Sequence, residues 1–389
     1  MTNTTENIIN GNYDANDQRI VEISQLIRNI SLPLIAIIGF LGNTVSLIVF
    51  TVSGLKSRSS SKFLSSLALT DNVILISILL SWIDGSFYNI FLTKAGCMLF
   101  NYLTYISSFL SVWFIVGFTT ERFFAIGYPL HSQLICSNTK GKIALSTLVF
   151  IAFAAYSFTF FTTEIVPYKS RLICDFKADY RSLMKGITWV DTALTLVIPV
   201  MIIIIMNTRV LWLVFKFHRN RKQLRVSNFV STRKQNGSHG TRPSSQLRVT
   251  RTLLLVSTTF VVLNLPSHIF KLYITILQKT DGDTSPSYTM YLIQEITQVF
   301  FYASFSCNFF LYTLSGKQFK NALCGLIRSM DLKKRPGKCF GHIRKDLHMK
   351  QEFLCNTLEL KEIYLKNPNI ERVETDSVLT TSKAAHQKT

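Results

Sequence analysis

The sequence predicts an all-α membrane protein, a seven-transmembrane helix bundle with a short amphipathic eighth helix. Of the 389 residues, 48% are hydrophobic, 30 are phenylalanine and only 16% are charged, which is more apolar than an ordinary soluble domain. The apolar residues form seven runs, each near or above the ~20 residues that a helix needs to cross a bilayer. Because backbone groups in lipid must be satisfied within the segment, and the runs are far too long for barrel strands, only helices fit.

Charge distribution and motif content exclude several classes of protein. The basic residues behind the net charge of +20 lie in short clusters between apolar runs, without the basic stripe and interleaved aromatics of nucleic-acid binders. No nucleophile–base pair, metal motif or phosphate-binding loop indicates an enzyme. No internal repeat is visible, which argues against the duplicated halves of many transporters. We therefore expect a membrane protein that binds no nucleic acid and catalyses no reaction.

The chain divides into four parts. Residues 1–29 form a polar N-terminal segment, 30–314 the bundle, 315–328 a helix on the membrane surface, and 329–389 a polar tail that we expect to be disordered. We place the seven spans at about 30–53, 63–90, 97–124, 142–165, 186–215, 250–278 and 288–314.

The orientation in the membrane follows from the loop between the fifth and sixth spans. From Lys216 to Arg251 this loop contains ten Lys and Arg residues and no Asp or Glu, so the positive-inside rule makes it cytoplasmic. The N-terminus is then extracellular, in a multi-pass protein of the plasma membrane. The triplets that begin at Asn3 and Asn29 match the N-glycosylation pattern, although each also has the alternative of a chance match. The cationic loop would face an acidic protein surface or the head groups of membrane lipids.

Two of the seven cysteines, Cys97 and Cys174, fall on the oxidising side of the membrane. We expect a disulfide between them rather than two free thiols, and such a bond would hold the 165–185 loop over the outer mouth of the bundle. Cys324 lies on the predicted surface helix, where it is a candidate for palmitoylation, with a simple packing role as the alternative. Ser and Thr residues near the C-terminus are candidate phosphorylation sites: Thr375, Ser377, Thr380, Thr381 and Ser382.

Short motifs follow one another along the spans in a recognisable order. They are Gly42-Asn43, Leu67-Ala68-Leu69-Thr70-Asp71, Cys97, Glu121-Arg122-Phe123, Pro199, Phe260, Pro266 and Asn308-Phe309-Phe310-Leu311-Tyr312. In this order they resemble the landmarks of rhodopsin-like (class A) G-protein-coupled receptors over about residues 30–328. The fragment 264–268 also looks like invertebrate neuropeptide receptors. The resemblance implies a receptor that activates a heterotrimeric G protein by movement of the fifth and sixth helices, and that binds arrestin through a phosphorylated tail.

The resemblance also implies roles for individual residues. Arg122 becomes a switch that Glu121 holds in the inactive state, the alternative being an interfacial cation that only stabilises the membrane boundary. The remaining residues expected at the G-protein side are Phe123, Pro129, Leu130 and Tyr312. An activation core is expected at Val112, Pro199, Phe260, Asn264 and Pro266, in which the prolines provide hinges.

Asp71 is a lone carboxylate deep in the second span, where a charge needs a cation or hydrogen bonds. Asn43, Ser111 and Asn308 are its expected neighbours. In the family this cluster holds an allosteric sodium ion, which is the one cofactor expected here. The alternative is a protonated, hydrogen-bonded Asp71 without an ion.

Four positions depart from the family pattern. Asn264 replaces the usual Trp of the sixth span, Asn207 a Tyr of the fifth, Phe309 the Pro of the seventh, and Gln246 an acid near the cytoplasmic end of the sixth. The usual Trp of the fourth span is also missing. We therefore expect a straighter seventh helix, different activation contacts and a higher basal activity.

The ligand is expected to be extracellular and most compatible with a neuropeptide. Thr104 stands where amine receptors have Asp, and Tyr302 where opsins have Lys, so neither a biogenic amine nor retinal is expected. The outer halves of the spans instead offer polar and aromatic residues, which suit a peptide: Trp82, Asp84, Thr104, Tyr105, Ser108, Trp189, Asp191, His268, Lys271, Gln294, Glu295, Gln298 and Tyr302. Two alternatives stay open, namely a chemosensory receptor for a small environmental molecule and a transporter or channel.

Overall fold

The structure is a computed structural model of the chain and describes residues 15–86, 93–128, 137–168, 171–228, 243–280 and 287–333. Several sequence predictions lie outside these residues, namely those for Asn3, Pro129 and Leu130 and for the tail beyond 333. The side chains of 220–228 and 243–251, including Gln246, are also outside the description. Six described helices are long and apolar enough to cross a membrane.

The helices follow the order of the predicted spans. The first four are α1 (Ala15–Val52), α2 (Ser59–Ser86), α3 (Lys94–Gly127) and α4 (Asn138–Ala155), the last continued by a 3-10 turn (Tyr156–Phe158) and by α5 (Thr159–Thr162). The fifth span contains α6 (Arg181–Thr192), a π-helical turn (Ala193–Val197) and α7 (Ile198–Asn228). The rest are α8 (Pro243–Thr280), α9 (Tyr288–Ser306), α10 (Asn308–Ser315) and α11 (Lys317–Lys333).

α1 begins earlier than the apolar run predicts. It starts at Ala15 rather than near residue 30, so half of the segment expected to be a polar N-terminal region is helical. Val21 and Ser24 are buried on this extension, and Gln18 donates a hydrogen bond to Glu22 one turn later. The added turns are amphipathic rather than apolar, which explains why a hydropathy pattern does not detect them.

The bundle is organised around α3. This helix contacts α2, α4, α7 and α8, while α1 packs against α2 and α9, and α8 against α9, which closes the ring. Glycines allow the closest approaches, as expected where helices pack in a membrane. A Cβ at Gly39 would lie 2.5 Å from Ser306 Cβ, and one at Gly117 2.5 Å from the Phe63 ring.

A π-helical turn precedes Pro199 in the fifth span. In this turn the N–H of Ile198 bonds to the carbonyl of Ala193, five residues back. The next carbonyl in the same register, that of Leu194, faces Pro199, which has no N–H to donate. The indole Nε1 of Trp113 on α3 donates to the Leu194 carbonyl instead, at 3.1 Å. A side chain from the central helix therefore satisfies the backbone group that the proline leaves open.

The seventh span is interrupted, so Phe309 in place of the proline does not make it one continuous helix; that it is straighter than a proline-containing helix stays a prediction. α9 ends at Ser306, α10 begins at Asn308, and Cys307 lies between them. Asn43 on α1 donates to the carbonyl of Phe305 at 2.8 Å, a group that the N–H of Phe309 would bond in an unbroken helix. Insertion of a side chain into the hydrogen-bond ladder is an established cause of such a break.

A two-stranded hairpin follows the fourth span and was not predicted. β1 (Thr163–Tyr168) pairs antiparallel with β2 (Arg171–Phe176), and Ile165 lies opposite Cys174. The predicted fourth span reaches residue 165, so its last residues belong to β1 rather than to a helix. The predicted disulfide is confirmed, with Cys97 of α3 bonded to Cys174 of β2. The hairpin is thereby fixed to α3 at what we call the disulfide end of the bundle. The opposite end is the Arg122 end.

α11 belongs to a second unit of the chain, residues 317–389. It covers the predicted surface helix and continues to Lys333. Cys324 on α11 is disulfide-bonded in the structure. Acylation needs a free thiol, so palmitoylation of Cys324 stays a prediction for the reduced protein.

Candidate functional site

Arg122 lies near the last turn of α3 and is almost withdrawn from solvent. Its Nη2 is 3.2 Å from Glu121 Oε1, and the two side chains are 17% and 10% exposed. Adjacent residues on a helix point about 100° apart, so the long guanidinium must fold back to reach Glu121. Its Cζ also lies 5.9 Å from the centre of the Phe118 ring, one turn earlier.

Glu121 has a second partner that the sequence did not reveal. Ser60, at the start of α2, donates its hydroxyl to Glu121 Oε1 at 2.9 Å and is itself buried. The Ser59-Ser60-Ser61 run is the signal in the sequence, but nothing local connects it to a residue 61 positions later. One carboxylate oxygen thus accepts from α2 and α3 together. Any movement that draws Arg122 away leaves Glu121 attached to α2.

Two other residues predicted at this end, Phe123 and Tyr312, make aromatic contacts. Phe123 packs edge-on against Phe124, with ring centres 5.4 Å apart, and Tyr128 closes the aromatic group. Tyr312 on α10 is buried and packs edge-on against Phe50 of α1 at 5.3 Å.

Asp71 is fully buried and accepts two hydrogen bonds. Ser111 of α3 donates to Oδ1 at 2.5 Å and Asn308 of α10 to Oδ2 at 2.7 Å. The expected cluster is therefore brought together for Ser111 and Asn308 but not for Asn43. The Asn43 amide nitrogen bonds to Phe305, and its Oδ1 is buried without a hydrogen-bond partner. Carboxylate and amide oxygens, such as those of Asp71 and Asn43 Oδ1, are the kind of ligand that a small hard cation requires.

The predicted activation core is buried except for Pro266, which is partly exposed, and its polar member Asn264 bonds within its own helix. Val112, Phe260 and Asn264 are 6%, 5% and 2% exposed. Asn264 donates to the carbonyl of Phe260, one turn earlier, at 2.7 Å. Pro266 lies inside α8, where its ring removes one backbone donor from the helix.

A polar contact joins α7 and α8 beside this core. Asn207 Nδ2 donates to Ser257 Oγ at 2.7 Å, and the Ser257 hydroxyl donates to the carbonyl of Leu253. Ser257 is completely buried, and Asn207 Oδ1 is buried without a partner. Sequence reasoning identified Asn207 as unusual but missed Ser257, 50 positions later.

At the disulfide end, Asp191 and a group of aromatic rings lie close together. Tyr156 donates its hydroxyl to Asp191 Oδ1 at 2.7 Å. Its ring stacks on Tyr105 at 5.5 Å and 19° and meets Phe109 edge-on at 5.8 Å. Tyr156 was missed because a single tyrosine in an apolar span has no pattern of its own.

A second carboxylate at this end, Glu295 of α9, is already paired. It is 5% exposed and lies 3.9 Å from Arg28, which α1 carries on its extension. Tyr291 also contacts both members of the pair. Arg28 falls in the segment that the sequence assigned to a polar N-terminus, so this pair was not predicted.

The remaining predicted ligand residues are distributed around the same mouth. Gln298 donates to the Tyr302 hydroxyl at 2.6 Å, and Tyr302 packs against the buried cluster of Ile74, Leu75, Ile78 and Phe305. His268 packs edge-on against Phe301 at 5.8 Å, and its Nδ1 is buried without a hydrogen-bond partner.

The Thr104 hydroxyl donates a hydrogen bond to the carbonyl of Phe100 in its own helix. Asp84, Ser108 and Gln294 are partly exposed, and Lys271 is exposed. Trp189 is 47% exposed, more than a lining residue of a closed pocket would be. Asn29 is exposed on α1, and its glycosylation stays a prediction. Among the residues that the structure describes, no group of three or more His, Cys, Asp or Glu side chains is arranged to hold a metal.

Comparison with known proteins gives a consistent result. The sequence profile "7 transmembrane receptor (rhodopsin family)" matches residues 42–331. The thyrotropin-releasing hormone receptor of Gallus gallus is 23% identical over 77% of this chain and 78% of its own length. The QRFP-like peptide receptor of Branchiostoma floridae is 23% identical over 79% and 80%, respectively. Galanin receptor 2b of Danio rerio is 22% identical over 80% and 77%.

Proposed function

The chain belongs to the rhodopsin family of seven-transmembrane receptors, and from this premise we propose that it is a receptor for an extracellular neuropeptide. The family consists of signalling receptors rather than enzymes, which agrees with the sequence-based expectation. An extracellular ligand and a heterotrimeric G protein are the partners that membership implies. The protein is accordingly a multi-pass protein of the plasma membrane.

The peptide ligand is supported above all by the relatives. All three are receptors named for peptides, and each aligns with about four-fifths of this chain. The disulfide end adds a physical reason, because carboxylates, tyrosines and an open His268 nitrogen suit the charges and amides of a peptide better than they suit a lipid. No comparable observation favours the chemosensory alternative or a transporter.

Arg122 is the residue on which the proposed mechanism depends. With Glu121 and Ser60 it forms a partly buried polar group at the end of the central helix. A guanidinium has several donors in a rigid plane, so it can exchange one set of acceptors for another when neighbouring helices move. Outward movement of α7 and α8 would release the Arg122 end to a G protein, and the Asn207–Ser257 contact would resist the part of that movement in which the two helices separate.

The orientation follows from the basic loop between α7 and α8, which by the positive-inside rule puts the Arg122 end in the cytoplasm. The disulfide end is then extracellular, where an oxidising environment favours the Cys97–Cys174 bond. Pro129 and Leu130 would contact the G protein, and a phosphorylated tail would bind arrestin. Asn3 and Asn29 would carry glycans.

A sodium ion at Asp71 is part of the same proposal. Asp71 and Ser111 would hold it, and the ion would supply the positive counter-charge that the buried carboxylate requires. Asn308 donates to Asp71 through its amide nitrogen and would keep the carboxylate oriented rather than bind the ion.

The direct test uses full-length receptor in lipid nanodiscs together with purified G-protein heterotrimers. A library of synthetic amidated neuropeptides is screened for acceleration of nucleotide exchange, and empty nanodiscs serve as the control. We expect at least one peptide to accelerate exchange in a saturable manner. A panel of small odorant-like and metabolite-like molecules is tested in parallel. A response to that panel without any response to peptides would contradict the proposal.

A further inference from the structure

Asp191 is a carboxylate in a membrane-spanning helix, and no salt bridge to it is found among the described residues. Among the described residues its side chain accepts one hydrogen bond, from the Tyr156 hydroxyl, and forms no salt bridge. A neutral hydroxyl stabilises a carboxylate but leaves its charge in place. Ionisable groups inside a membrane protein usually face a cavity or a partner, so an acidic group without a cation is itself a sign of an absent ligand.

The surroundings of Asp191 are built to receive a positive group. Tyr105 and Tyr156 are stacked, and the ring centre of Phe158 lies 6.0 Å from that of Tyr105. Aromatic faces carry partial negative charge and attract ammonium and guanidinium groups. Tyr156 is only 4% exposed, so its ring is held before any ligand arrives. Carboxylate and ring faces therefore attract the same kind of group.

Glu295, the other carboxylate at this end, has a salt-bridge partner, whereas Asp191 has none among the described residues. Glu295 already has Arg28 as its cation and Tyr291 as a further contact. Lys271 on α8 interacts with Asp191 electrostatically, but it is exposed and does not form a salt bridge with it. A ligand cation at Glu295 would have to displace Arg28. At Asp191 it would displace no salt-bridge partner, because Lys271 acts on this carboxylate only electrostatically.

We propose that Asp191, Tyr105 and Tyr156 form the subsite that binds a cationic group of the ligand, an ammonium or guanidinium carried by a peptide. This inference rests on the proposed receptor function and adds the charge of the group that the receptor selects. Asp191 supplies the opposite charge, Tyr156 fixes the carboxylate, and Tyr105 covers the cation with its ring face.

The test compares two probes that differ only in charge. Nα-acetyl-argininamide carries one guanidinium, whereas Nα-acetyl-citrullinamide has a neutral group of the same shape. Binding of each to full-length receptor in nanodiscs is measured from the ligand dependence of the thermal unfolding midpoint. We expect the wild type to bind the argininamide at least about tenfold more tightly than the citrullinamide, since pairing with a charged group strengthens a hydrogen bond considerably.

Matched variants locate the effect. Asp191→Asn should abolish the preference for the argininamide, and Tyr105→Leu should weaken it about threefold through loss of the ring face. Asp179→Asn is the control, because Asp179 is an exposed acid in the turn Ala178–Tyr180 just before α6. It should keep the full preference. Equal binding of both probes to the wild type, or a preference that survives Asp191→Asn, would overturn the proposal.

Failure of this subsite is distinguishable from failure of the proposed function. A peptide that activates the wild type and Asp191→Asn equally contradicts the subsite but leaves the receptor function intact. If Asp191→Asn is not recovered in folded form, Tyr105→Leu and Tyr156→Phe provide the comparison. Both are expected to lower the ratio of the two probe affinities, and an unchanged ratio in both contradicts the subsite.

Discussion

Removing the Ser257 hydroxyl should raise basal signalling. The hydroxyl accepts from Asn207 at 2.7 Å, and Ser257→Ala leaves the Asn207 amide buried without its acceptor while α7 and α8 are together. An unsatisfied buried donor costs about 1–3 kcal/mol. If the active arrangement relieves that cost, the equilibrium shifts by about fivefold to 140-fold, because 1.4 kcal/mol corresponds to a factor of ten.

The double variant gives a sharper expectation. Asn207→Leu in combination with Ser257→Ala removes both partners, so that only the net value of the hydrogen bond, about 0.5–1.5 kcal/mol, is lost. Basal activity of the double variant should therefore be lower than that of Ser257→Ala alone. Thr208→Ala is the control, since Thr208 is exposed on α7 and bonds only to the Ile204 carbonyl of its own helix.

The assay is ligand-free nucleotide exchange on purified G protein, normalised to the amount of folded receptor. Basal exchange in Ser257→Ala equal to that of the wild type would refute the reasoning. A double variant more active than the single variant would refute it as well, because the unsatisfied Asn207 amide could not then be the cause.

Three further predictions concern stability and ion binding. Asp71→Asn should remove the stabilisation of the receptor by sodium relative to N-methylglucamine, measured as the unfolding midpoint, and an undiminished sodium effect would contradict the ion site. Gly39→Ala should lower the unfolding free energy by about 1–3 kcal/mol, because the added Cβ would lie 2.5 Å from Ser306 Cβ. Gly54→Ala is the control and should be neutral, since a Cβ at Gly54 would have nothing within 4 Å. Equal unfolding midpoints for the two variants would refute this packing argument. Cys97→Ser and Cys174→Ser should each lower the unfolding free energy of the receptor by the same amount, about 2–5 kcal/mol. The double variant should be no less stable than either single variant, since each change removes the same bond. Unequal or additive losses would mean that the two thiols act separately.

The sequence was sufficient for features that follow from local chemistry. Apolar runs located most helices of the bundle to within a few residues, because a span needs a fixed length of apolar chain. The same reasoning failed for the extension of α1, where Val21 and Ser24 form a buried face among polar residues. It also failed at the end of the fourth span, where apolar residues continue into β1. Hydropathy records which residues avoid water, but not whether their backbone is a helix or a strand.

The site residues divide in a similar way. Charged groups within spans, such as Asp71 and Arg122, are identifiable from the sequence because a charge in hydrocarbon is costly and therefore conspicuous. Their hydroxyl partners are not. Ser60 and Tyr156 lie 61 and 35 positions from the carboxylates they bond, and nothing in their own neighbourhoods distinguishes them from other polar residues in apolar spans. Only the packing of the helices brings these pairs together.

The most direct test of the account replaces Arg122. Arg122→Ala removes the guanidinium that bonds to Glu121 at 3.2 Å and lies beside Phe118, whereas Arg209→Ala removes an exposed cation from α7 and serves as the control. Peptide-stimulated nucleotide exchange is measured for both variants at equal surface expression. We predict that Arg122→Ala abolishes stimulated exchange and that Arg209→Ala preserves it. Normal stimulation of the Arg122→Ala receptor would contradict the account.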